Sequence, residues 1–413
     1  MLLKKITAFR LVVVGVAIMA LAGDFSIYGE EINPSNATAL ENSIDSASSA
    51  VESINLFGFD FYREITKDNN KNIIFSPIGI SSTMGMAYLG FDENGREHLK
   101  KIPHLVDYLY ENPFSLGSLE YSKAFSIANA VWPSVKLDIP SKFIDDCGKY
   151  FNAEIIPLDY EDTSGAVHRI NDWVGEHTSH GISFTMEDKF INALTSIAIT
   201  NTTYFKEYWK SGFNKDATKL GKFFTGETSI DQYMMNEKGL MSYTETQDCQ
   251  AIRLPYLSGK TAMIIILPKD ATRFKVFEQN FTRDSFIQIS SSFKEEPVDL
   301  ELPTFRFDNK IDVLSAIKSI YKHEGYEDFL SKSKFLECRK NIITNIAHDA
   351  FIDVNETGSE VASFTILTAM TLGYSYVSEY WKIFHANHPF LFYIVDINSD
   401  LILYIGKYTG IFN

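Results

Sequence analysis

The residues best suited to a chemical role lie in one stretch near the carboxyl end of the chain, from His348 to Phe390. Its first part alternates in polarity as a β-strand does, and Gly358 then interrupts the alternation. The residues after Gly358 are mostly small or β-branched, and no proline occurs before Pro389. Such a segment can pair with strands, because β-branched side chains fit a pleated sheet and every backbone N–H remains available. The pattern predicts an exposed loop that can insert into a sheet.

Motifs of common enzyme classes are missing from the sequence. It contains no Gly-x-Ser-x-Gly elbow, no His-Glu-x-x-His helix and no glycine-rich phosphate loop. His177 and His180 are close enough to be two metal ligands, but no further ligand cluster accompanies them, which favours two solvated side chains. The sequence therefore predicts no catalytic residue, no cofactor and no metal site.

Composition sets limits on the class of protein. The chain has 413 residues, of which 45% are hydrophobic and 22% charged, as in a soluble protein with one large core. Its net charge of −15 argues against nucleic acid as a partner, because phosphates are bound by concentrated Lys and Arg. Three cysteines, Cys147, Cys249 and Cys338, are too few for a disulfide-based scaffold and are expected to be buried thiols, although one disulfide with one free thiol remains an alternative.

The first 22 residues have the pattern of a signal peptide. Lys4 and Lys5 precede an apolar run, which is too short for a comfortable membrane span, and Ala20-Leu21-Ala22 offers a cleavage site. We expect the protein to be secreted and extracellular, or periplasmic in a bacterium. Once the signal peptide is removed, no membrane partner is expected. The alternative is that the peptide stays uncleaved and acts as a membrane anchor. The composition of residues 23–48 predicts a flexible leader, and residues 49–413 are expected to form one domain.

The remaining elements must position the loop. Helical periodicity begins at about Ser49, and Ser76-Pro77 suits the start of a second helix. Further helices are predicted over Ser141–Tyr150, Val167–Thr178 and Ile311–Ile320. Strands are predicted over Asn72–Phe75, Tyr121–Trp132, Ser196–Phe205, Ala262–Pro268 and Val298–Phe307, with a hairpin of Phe390–Asp396 and Leu401–Tyr408. This irregular mixture of elements predicts a single α+β domain.

Several separated motifs, in this order, resemble those of the serpin family. They are Asn72–Pro77, Asn129–Trp132, Ile170–Val174, Tyr204–Lys206 with Trp209, Leu254–Tyr256, Ile264–Pro268, Leu302–Phe305, His348–Gly358 and His388–Leu391. The resemblance implies the serpin fold: a large, mostly antiparallel central sheet with smaller sheets, surrounding helices and an exposed reactive loop at about residues 357–380. It also implies a monomeric inhibitor that traps a serine protease, or a cysteine protease as a second class, as a covalent acyl-enzyme.

The family's counting rule locates the bond that the protease would cut. Counting Glu356 as the first loop residue, the rule places the reactive bond between Leu372 and Gly373, with Tyr374–Ser375 as a rival two residues further on. Leu372 would suit a chymotrypsin-like or elastase-like enzyme. The hinge residues that the resemblance implies are Glu356, Gly358, Ser359, Val361, Ser363 and Thr365. From Ser359 onward, alternate side chains would face the core after insertion.

A sheet-opening cluster is also implied by the resemblance. Ser76, Asn201 and His348 match the hydrogen-bonded positions beneath the opening, and Trp209 matches the tryptophan at its top. Gly79 stands where the family usually has serine, so one partner is missing. For His348, a core histidine with satisfied hydrogen bonds is also what the family role amounts to. For Trp209, an ordinary core position is the alternative.

A serpin that does not inhibit proteases is the alternative function. Val361 replaces the usual alanine of the hinge, Phe364 is bulkier than usual there, and Gly79 alters the opening cluster. Such a chain would act as a binding protein or chaperone.

Overall fold

The computed structural model describes residues 34–110, 115–116, 124–178, 191–320, 335, 347–359 and 380–412. Two compact units divide the chain, residues 1–46 and residues 47–413. The predicted signal peptide lies outside the described residues. Within the described part of the chain, no helix is both long and apolar enough to cross a bilayer.

Nine α-helices occur among the described residues. They are α1 Pro34–Thr66, α2 Pro77–Gly90, α3 Glu93–Lys100, α4 Asp107–Tyr110, α5 Ser141–Phe151, α6 Thr163–His177, α7 Phe274–Asn280, α8 Arg283–Ser290 and α9 Val313–Ile320. Helix α1 corrects one expectation, because residues 34–48, assigned from composition to a flexible leader, are helical. Helix α2 begins as predicted: the Ser76 side chain accepts a hydrogen bond from the Gly79 N–H, and Pro77 occupies the first helical position.

Sixteen strands occur in the described segments. They are β1 Ile73–Phe75, β2 Phe125–Pro133, β3 Glu154–Ile155, β4 Ile197–Phe205, β5 Glu207–Tyr208, β6 Lys219–Phe224, β7 Ser229–Glu245, β8 Cys249–Pro255, β9 Thr261–Pro268, β10 Lys294–Pro303, β11 Phe305–Asp312, β12 Ala347–Asn355, β13 Gly358–Ser359, β14 Lys382–His385, β15 Phe390–Asp396 and β16 Ile402–Tyr408. The largest sheet has nine of them, in the order β1-β16-β15-β9-β8-β7-β10-β14, with β6 paired to β7. Strands β9, β15 and β16 are wholly buried, which explains why their sequences are mostly apolar.

The two smaller sheets carry the candidate site. One has the order β11-β12-β13-β5 and the other β3-β2-β4. Strand β4 is followed after a single residue, Lys206, by strand β5, so one continuous segment takes part in both sheets. A narrow cleft separates the two sheets elsewhere, and residues 203–205 of β4 and 351–353 of β12 line it.

Two helices pack on these sheets. Helix α2 is buried almost throughout and packs against β4. Helix α6 covers the three-stranded sheet, where the rings of Trp132 and Trp173 meet edge to face with centroids 5.7 Å apart. The apolar stripe of α6, which includes Ile170 and Trp173, is therefore buried against the sheet, as its helical periodicity predicted.

Element boundaries also differ from the sequence-based expectations, in particular around strand β11. The predicted strand Val298–Phe307 is two strands, β10 and β11, separated at Thr304. Alternation alone cannot reveal this break, because both strands have the same period of two residues. The helix predicted from Ile311 begins at Val313, and residues 311–312 complete strand β11.

Candidate functional site

The hinge of the loop is already part of a sheet. Strand β13 pairs with β12 through Ser359 and Val354, and on its other edge with β5 through Ser359 and Glu207. Gly358 allows this close approach, because a Cβ atom there would lie 2.2 Å from the carbonyl oxygen of Glu207. Two residues of the predicted hinge therefore occupy the first positions of an inserted strand.

The side chain of Ser359 points into the core. Its hydroxyl lies 2.7 Å from that of Tyr256, and both residues are buried. Burial raises the pKa of the Tyr256 phenol, so the group stays neutral and can donate or accept a hydrogen bond. This inward orientation is the one that the predicted alternation assigns to Ser359.

Trp209 fixes the turn that precedes β13. Its indole Nε1–H donates to the carbonyl oxygen of Asn355 at 2.9 Å, and its backbone N–H donates to that of Thr357 at 3.0 Å. The indole also stacks on Tyr256, with ring centroids 4.6 Å apart. Trp209 thus sits at the point where the chain turns from β12 into the hinge.

Glu356 is held by the segment that follows Trp209. Its backbone oxygen accepts from the Phe213 N–H at 2.9 Å, and its carboxylate Oε1 accepts from the Thr218 hydroxyl at 2.8 Å. The start of the predicted loop is therefore anchored on its backbone and on its side chain.

Glu207 is a site residue that sequence reasoning missed. Its carboxylate is buried, and Oε1 accepts from the Ser258 N–H at 2.7 Å while Oε2 accepts from the hydroxyl of Thr261. These contacts tie strand β5, the partner of the hinge, to the turn between β8 and β9. Only the tertiary structure reveals this role, because the partners are more than fifty residues away in sequence.

Ser76 and His348 meet beneath the cleft. The backbone N–H of Ser76 donates to Nε2 of His348 at 3.0 Å, so the proton of the neutral imidazole must be on Nδ1. Burial lowers the pKa of His348 to about 4, which keeps the ring neutral. This single bond connects the start of α2 to strand β12.

Asn201 lies beside this pair, and Gly79 lies between them. The Asn201 Nδ2 group donates to Oδ1 of Asn129 at 2.8 Å, whereas its Oδ1 atom has no partner among the described residues. A Cβ atom on Gly79 would lie 2.5 Å from that oxygen and 3.3 Å from Cε1 of His348. The serine hydroxyl that the resemblance leads one to expect is therefore missing next to an unpaired buried acceptor.

The four residues of the predicted opening cluster lie at two separate places in the structure. Ser76, Asn201 and His348 lie together around Gly79, at the start of β12. Trp209 lies at the other end of β12, beside Asn355. Between these two places the cleft has a volume of ≈ 20 Å³, about enough for one water molecule. The sheets must move apart before a whole strand can enter.

Other predicted site residues lie outside the described residues. These are Val361, Ser363, Thr365, Leu372, Gly373, Tyr374 and Ser375.

The cysteines and the two candidate metal ligands are only partly described. His180 and Cys338 lie outside the described residues, while Cys147 and Cys249 are buried free thiols. The Nδ1–H group of the described His177 donates to the carbonyl oxygen of Trp173 at 2.8 Å. In the described segments, no group of three or more possible ligands could hold a metal ion.

The four-stranded and three-stranded sheets are separated by a narrow cleft, and strand β13 lies between β12 and β5. This arrangement is that of a protein class whose central sheet can accept a further strand. The chain belongs to the serpin family, since the family model described as "Serpin (serine protease inhibitor)" matches residues 52–411. Serpins are in general protease inhibitors rather than catalysts, and some members of the family do not inhibit proteases. The resemblance found in the sequence is thereby confirmed.

Curated relatives agree with this assignment. An uncharacterized serpin-like protein of Thermococcus kodakarensis is 31% identical over 372 residues, which cover 86% of this chain and 84% of the relative. Human Serpin B3 is 25% identical, covering 86% of this chain and 97% of its own. The Intracellular coagulation inhibitor 2 of Tachypleus tridentatus is 28% identical, covering 86% and 89%.

Solved structures confirm the predicted fold class. The structure titled "Cleaved Serpin 42Da" has a TM-score of 0.76 and 23% identity, and covers 88% of this chain and 99% of its own. Native protease nexin-1 with heparin has a TM-score of 0.75 and 24% identity, with the same coverage. At this level of identity, the likeness concerns the fold.

Proposed function

We propose that the protein is an exported, single-use inhibitor of serine proteases with chymotrypsin-like or elastase-like specificity. The observation that carries the proposal is the position of the hinge: Gly358 and Ser359 form a strand between β12 and β5, with the Ser359 side chain buried. Continued insertion from this starting point would add a full strand between the two halves of the central sheet.

The trapping reaction uses the chemistry of the protease. Its serine oxygen attacks the carbonyl carbon of Leu372, an ester forms, the Leu372–Gly373 C–N bond breaks, and the new amine of Gly373 takes up the proton. Insertion of the cut loop then displaces the attached protease before water can hydrolyse the ester. A dozen new ladder hydrogen bonds at about 1 kcal/mol each would release on the order of ten kcal/mol.

Two parts of the proposal rest on sequence. Leu372 offers a medium apolar side chain to the specificity pocket, and no Arg or Lys occurs between Gly358 and Lys382, which disfavours a trypsin-like target. Residues 1–22 support export through the secretory route. Sequencing the amino terminus of the protein recovered from culture medium tests export separately from inhibition.

Incubation with chymotrypsin or pancreatic elastase tests the inhibitory function. We expect a complex that survives boiling in detergent, and mass spectrometry of the released peptide should identify Gly373 as its first residue. Release of a peptide beginning at Ser375 would instead select the rival bond. Complete cleavage without a stable complex would favour the non-inhibitory binding protein or chaperone, to which Val361 and Phe364 point.

A further inference from the structure

The chain contains four Asn-x-Ser/Thr tripeptides, the acceptor motif of N-linked glycans. They begin at Asn36, Asn201, Asn280 and Asn355. A folded protein accommodates a glycan only where the amide nitrogen of the asparagine faces solvent, because the attached sugars are bulky and polar. The fold therefore distinguishes between acceptors that the motif alone treats as equal.

Two of these asparagine side chains already serve the fold. In the middle of β4, Nδ2 of Asn201 donates to Asn129 Oδ1 at 2.8 Å. The Asn355 Oδ1 atom accepts from the N–H of Thr357 at 3.0 Å and from its hydroxyl at 2.6 Å. These bonds close the turn that Trp209 holds. A sugar at either asparagine would compete with contacts of the sheets or of the hinge.

Asn280 is in a different environment, at the corner between helices α7 and α8. It is the last residue of α7 and is exposed. One N–H of its side-chain amide donates to the carbonyl oxygen of Val276 at 2.9 Å, and the other has no partner among the described residues. Thr282, the third residue of the motif, is exposed at the start of α8, where its hydroxyl accepts from the Ser285 N–H at 3.2 Å. The amide nitrogen of Asn280 is therefore open to substitution in the folded chain.

A groove with a volume of ≈ 520 Å³ begins at this corner, and Asn280 itself lines it. Sites that enclose a small organic ligand have volumes of about 300–1,000 Å³. Phe277 and Phe281 form an aromatic wall of the groove, with ring centroids 5.5 Å apart, and Val276 beside them is 45% exposed. The C–H face of a sugar ring is apolar and can pack on such a wall.

Polar side chains line the rest of the groove. Gln247 comes from the turn between β7 and β8, and Gln288 from helix α8. Their amides can both donate to and accept from sugar hydroxyl groups. The charged side chains of the lining, Asp248, Asp270 and Arg273, carry both signs, so the groove does not favour a strongly charged ligand. A neutral ligand rich in hydroxyl groups matches this lining.

We propose that Asn280 carries an N-linked glycan whose first sugars occupy this groove. In the transfer reaction, Nδ2 of Asn280 attacks the anomeric carbon of an oligosaccharide linked to a lipid pyrophosphate. A C–N bond forms, the C–O bond to the pyrophosphate breaks, the lipid pyrophosphate leaves with the bonding electrons, and the amide nitrogen loses one proton. Because the sugars are tethered at the groove, even weak contacts there are populated. The inference rests on the export in the proposed function, since glycan transfer belongs to the secretory route, and it does not require inhibitory activity.

Secretion of the full chain by a yeast tests the acceptor. Peptide N-glycosidase in heavy-oxygen water converts each glycosylated asparagine into a labelled aspartate, which mass spectrometry locates. We expect the label at Asn280 and none at Asn201. Sequencing the amino terminus of the secreted protein shows in the same sample whether export has occurred.

Melting temperatures test whether the glycan occupies the groove. Gln288→Ala removes an amide from the lining at an exposed helical position, where alanine is well tolerated. Gln279→Ala is the matched control, because it makes the same change at an exposed position of α7 outside the lining. Each variant and the wild type are produced in the yeast and in a bacterium without N-glycosylation. We expect Gln288→Ala to lower the melting temperature of the yeast product by at least about 2 °C more than that of the bacterial product. Gln279→Ala should act equally on both.

The outcomes separate this inference from the proposed function. If the chain is exported and Asn280 carries no label, the inference fails and the proposed function is unaffected. If the chain is not exported and no acceptor is labelled, the inference fails together with export, while trapping of a protease by the bacterial product still supports inhibition. If Asn280 is labelled but Gln288→Ala acts equally on both products, the glycan does not occupy the groove and that part of the inference is overturned.

Discussion

The hydroxyl of Ser359 lies 2.7 Å from the hydroxyl of Tyr256, and Ser359 belongs to strand β13 of the four-stranded sheet. Tyr256 in turn stacks on Trp209, whose indole holds the backbone of Asn355. Strand β13, the core and the turn before β13 are therefore joined in one contact network. Substitutions along this network should affect inhibition and stability in different ways.

Ser359→Arg should convert the inhibitor into a substrate. Further insertion would keep a guanidinium group in the buried position next to Tyr256, which is strongly unfavourable without a partner. We expect the protease to cleave the variant and remain active, measured as a rise in the stoichiometry of inhibition by at least tenfold. Ser359→Ala is the control: it removes one hydrogen bond but fits the same space and should still trap the protease. Equal trapping by the Arg variant would show that this residue does not face the core.

Gly358→Ala should expel the hinge from the sheet. The added Cβ would lie 2.2 Å from the Glu207 oxygen and 2.7 Å from the Tyr208 Cα, and backbone atoms cannot move aside cheaply. We expect a loss of about 2 kcal/mol in the free energy of unfolding and faster hydrogen exchange at Ser359. Gly148→Ala in helix α5 is the control, because its Cβ would meet no atom within 4 Å and alanine favours a helix. Protected exchange at Ser359 in the Gly358 variant would contradict the close approach.

Stability should fall in mild acid because of His348. In the folded protein this ring stays neutral down to a pKa of about 4, whereas in the unfolded chain it protonates near 6.5. Between these two pH values only the unfolded state takes up the proton, so its free energy falls relative to the folded state. The contribution is constant above pH 6.5 and reaches roughly 3 kcal/mol of lost stability at pH 4.

Urea unfolding of the wild type and of His348→Gln between pH 4 and pH 8 measures this effect. Carboxylates contribute equally to both proteins, so the difference between the two curves isolates the histidine. We expect the stability difference between wild type and variant to shrink as the pH falls. Parallel curves would mean that His348 titrates normally.

Lys407→Met should be strongly destabilising. Lys407 Nζ is 2.8 Å from Glu278 Oε1, and the two side chains are 0% and 1% exposed. The pair links β16 to α7, and the Tyr62 hydroxyl also donates to the Glu278 carboxylate at 2.6 Å. After removal of Lys407, the buried Glu278 keeps only Lys275 as a cationic partner, whose Nζ lies 3.3 Å from Glu278 Oε2. We therefore expect a loss of about 3 kcal/mol in thermal or urea unfolding, the low end of the cost of breaking a buried pair. Lys136→Met, which breaks an exposed pair with Glu161, should change stability by less than about 1 kcal/mol.

Local patterns in the sequence predict some of the strands, such as β1, β4, β9 and β12, and the start of α2. Ser76-Pro77 and the alternation before Gly358 act through neighbouring residues, so they can be read without the tertiary structure. The burial of Glu207 depends on Ser258 and Thr261 and therefore needs the folded chain. The break between β10 and β11 at Thr304 follows Pro303, and the hydrogen bond of the Thr304 N–H to Tyr233 O on strand β7 is visible only in the folded chain.

Gly79→Ser should stabilise the closed sheet more than Gly79→Ala does. Both substitutions place a Cβ 2.5 Å from Asn201 Oδ1, which must move by a side-chain rotation, but only serine adds a hydroxyl that can donate to this unpaired oxygen. Satisfying a buried acceptor contributes about 1–3 kcal/mol, so we expect the serine variant to exceed the alanine variant by about that amount in urea unfolding. Alanine controls for the added volume and for the gain in helix propensity within α2. If alanine matched or exceeded serine, Asn201 Oδ1 would already be satisfied by water, and the missing hydroxyl would not weaken the closed state.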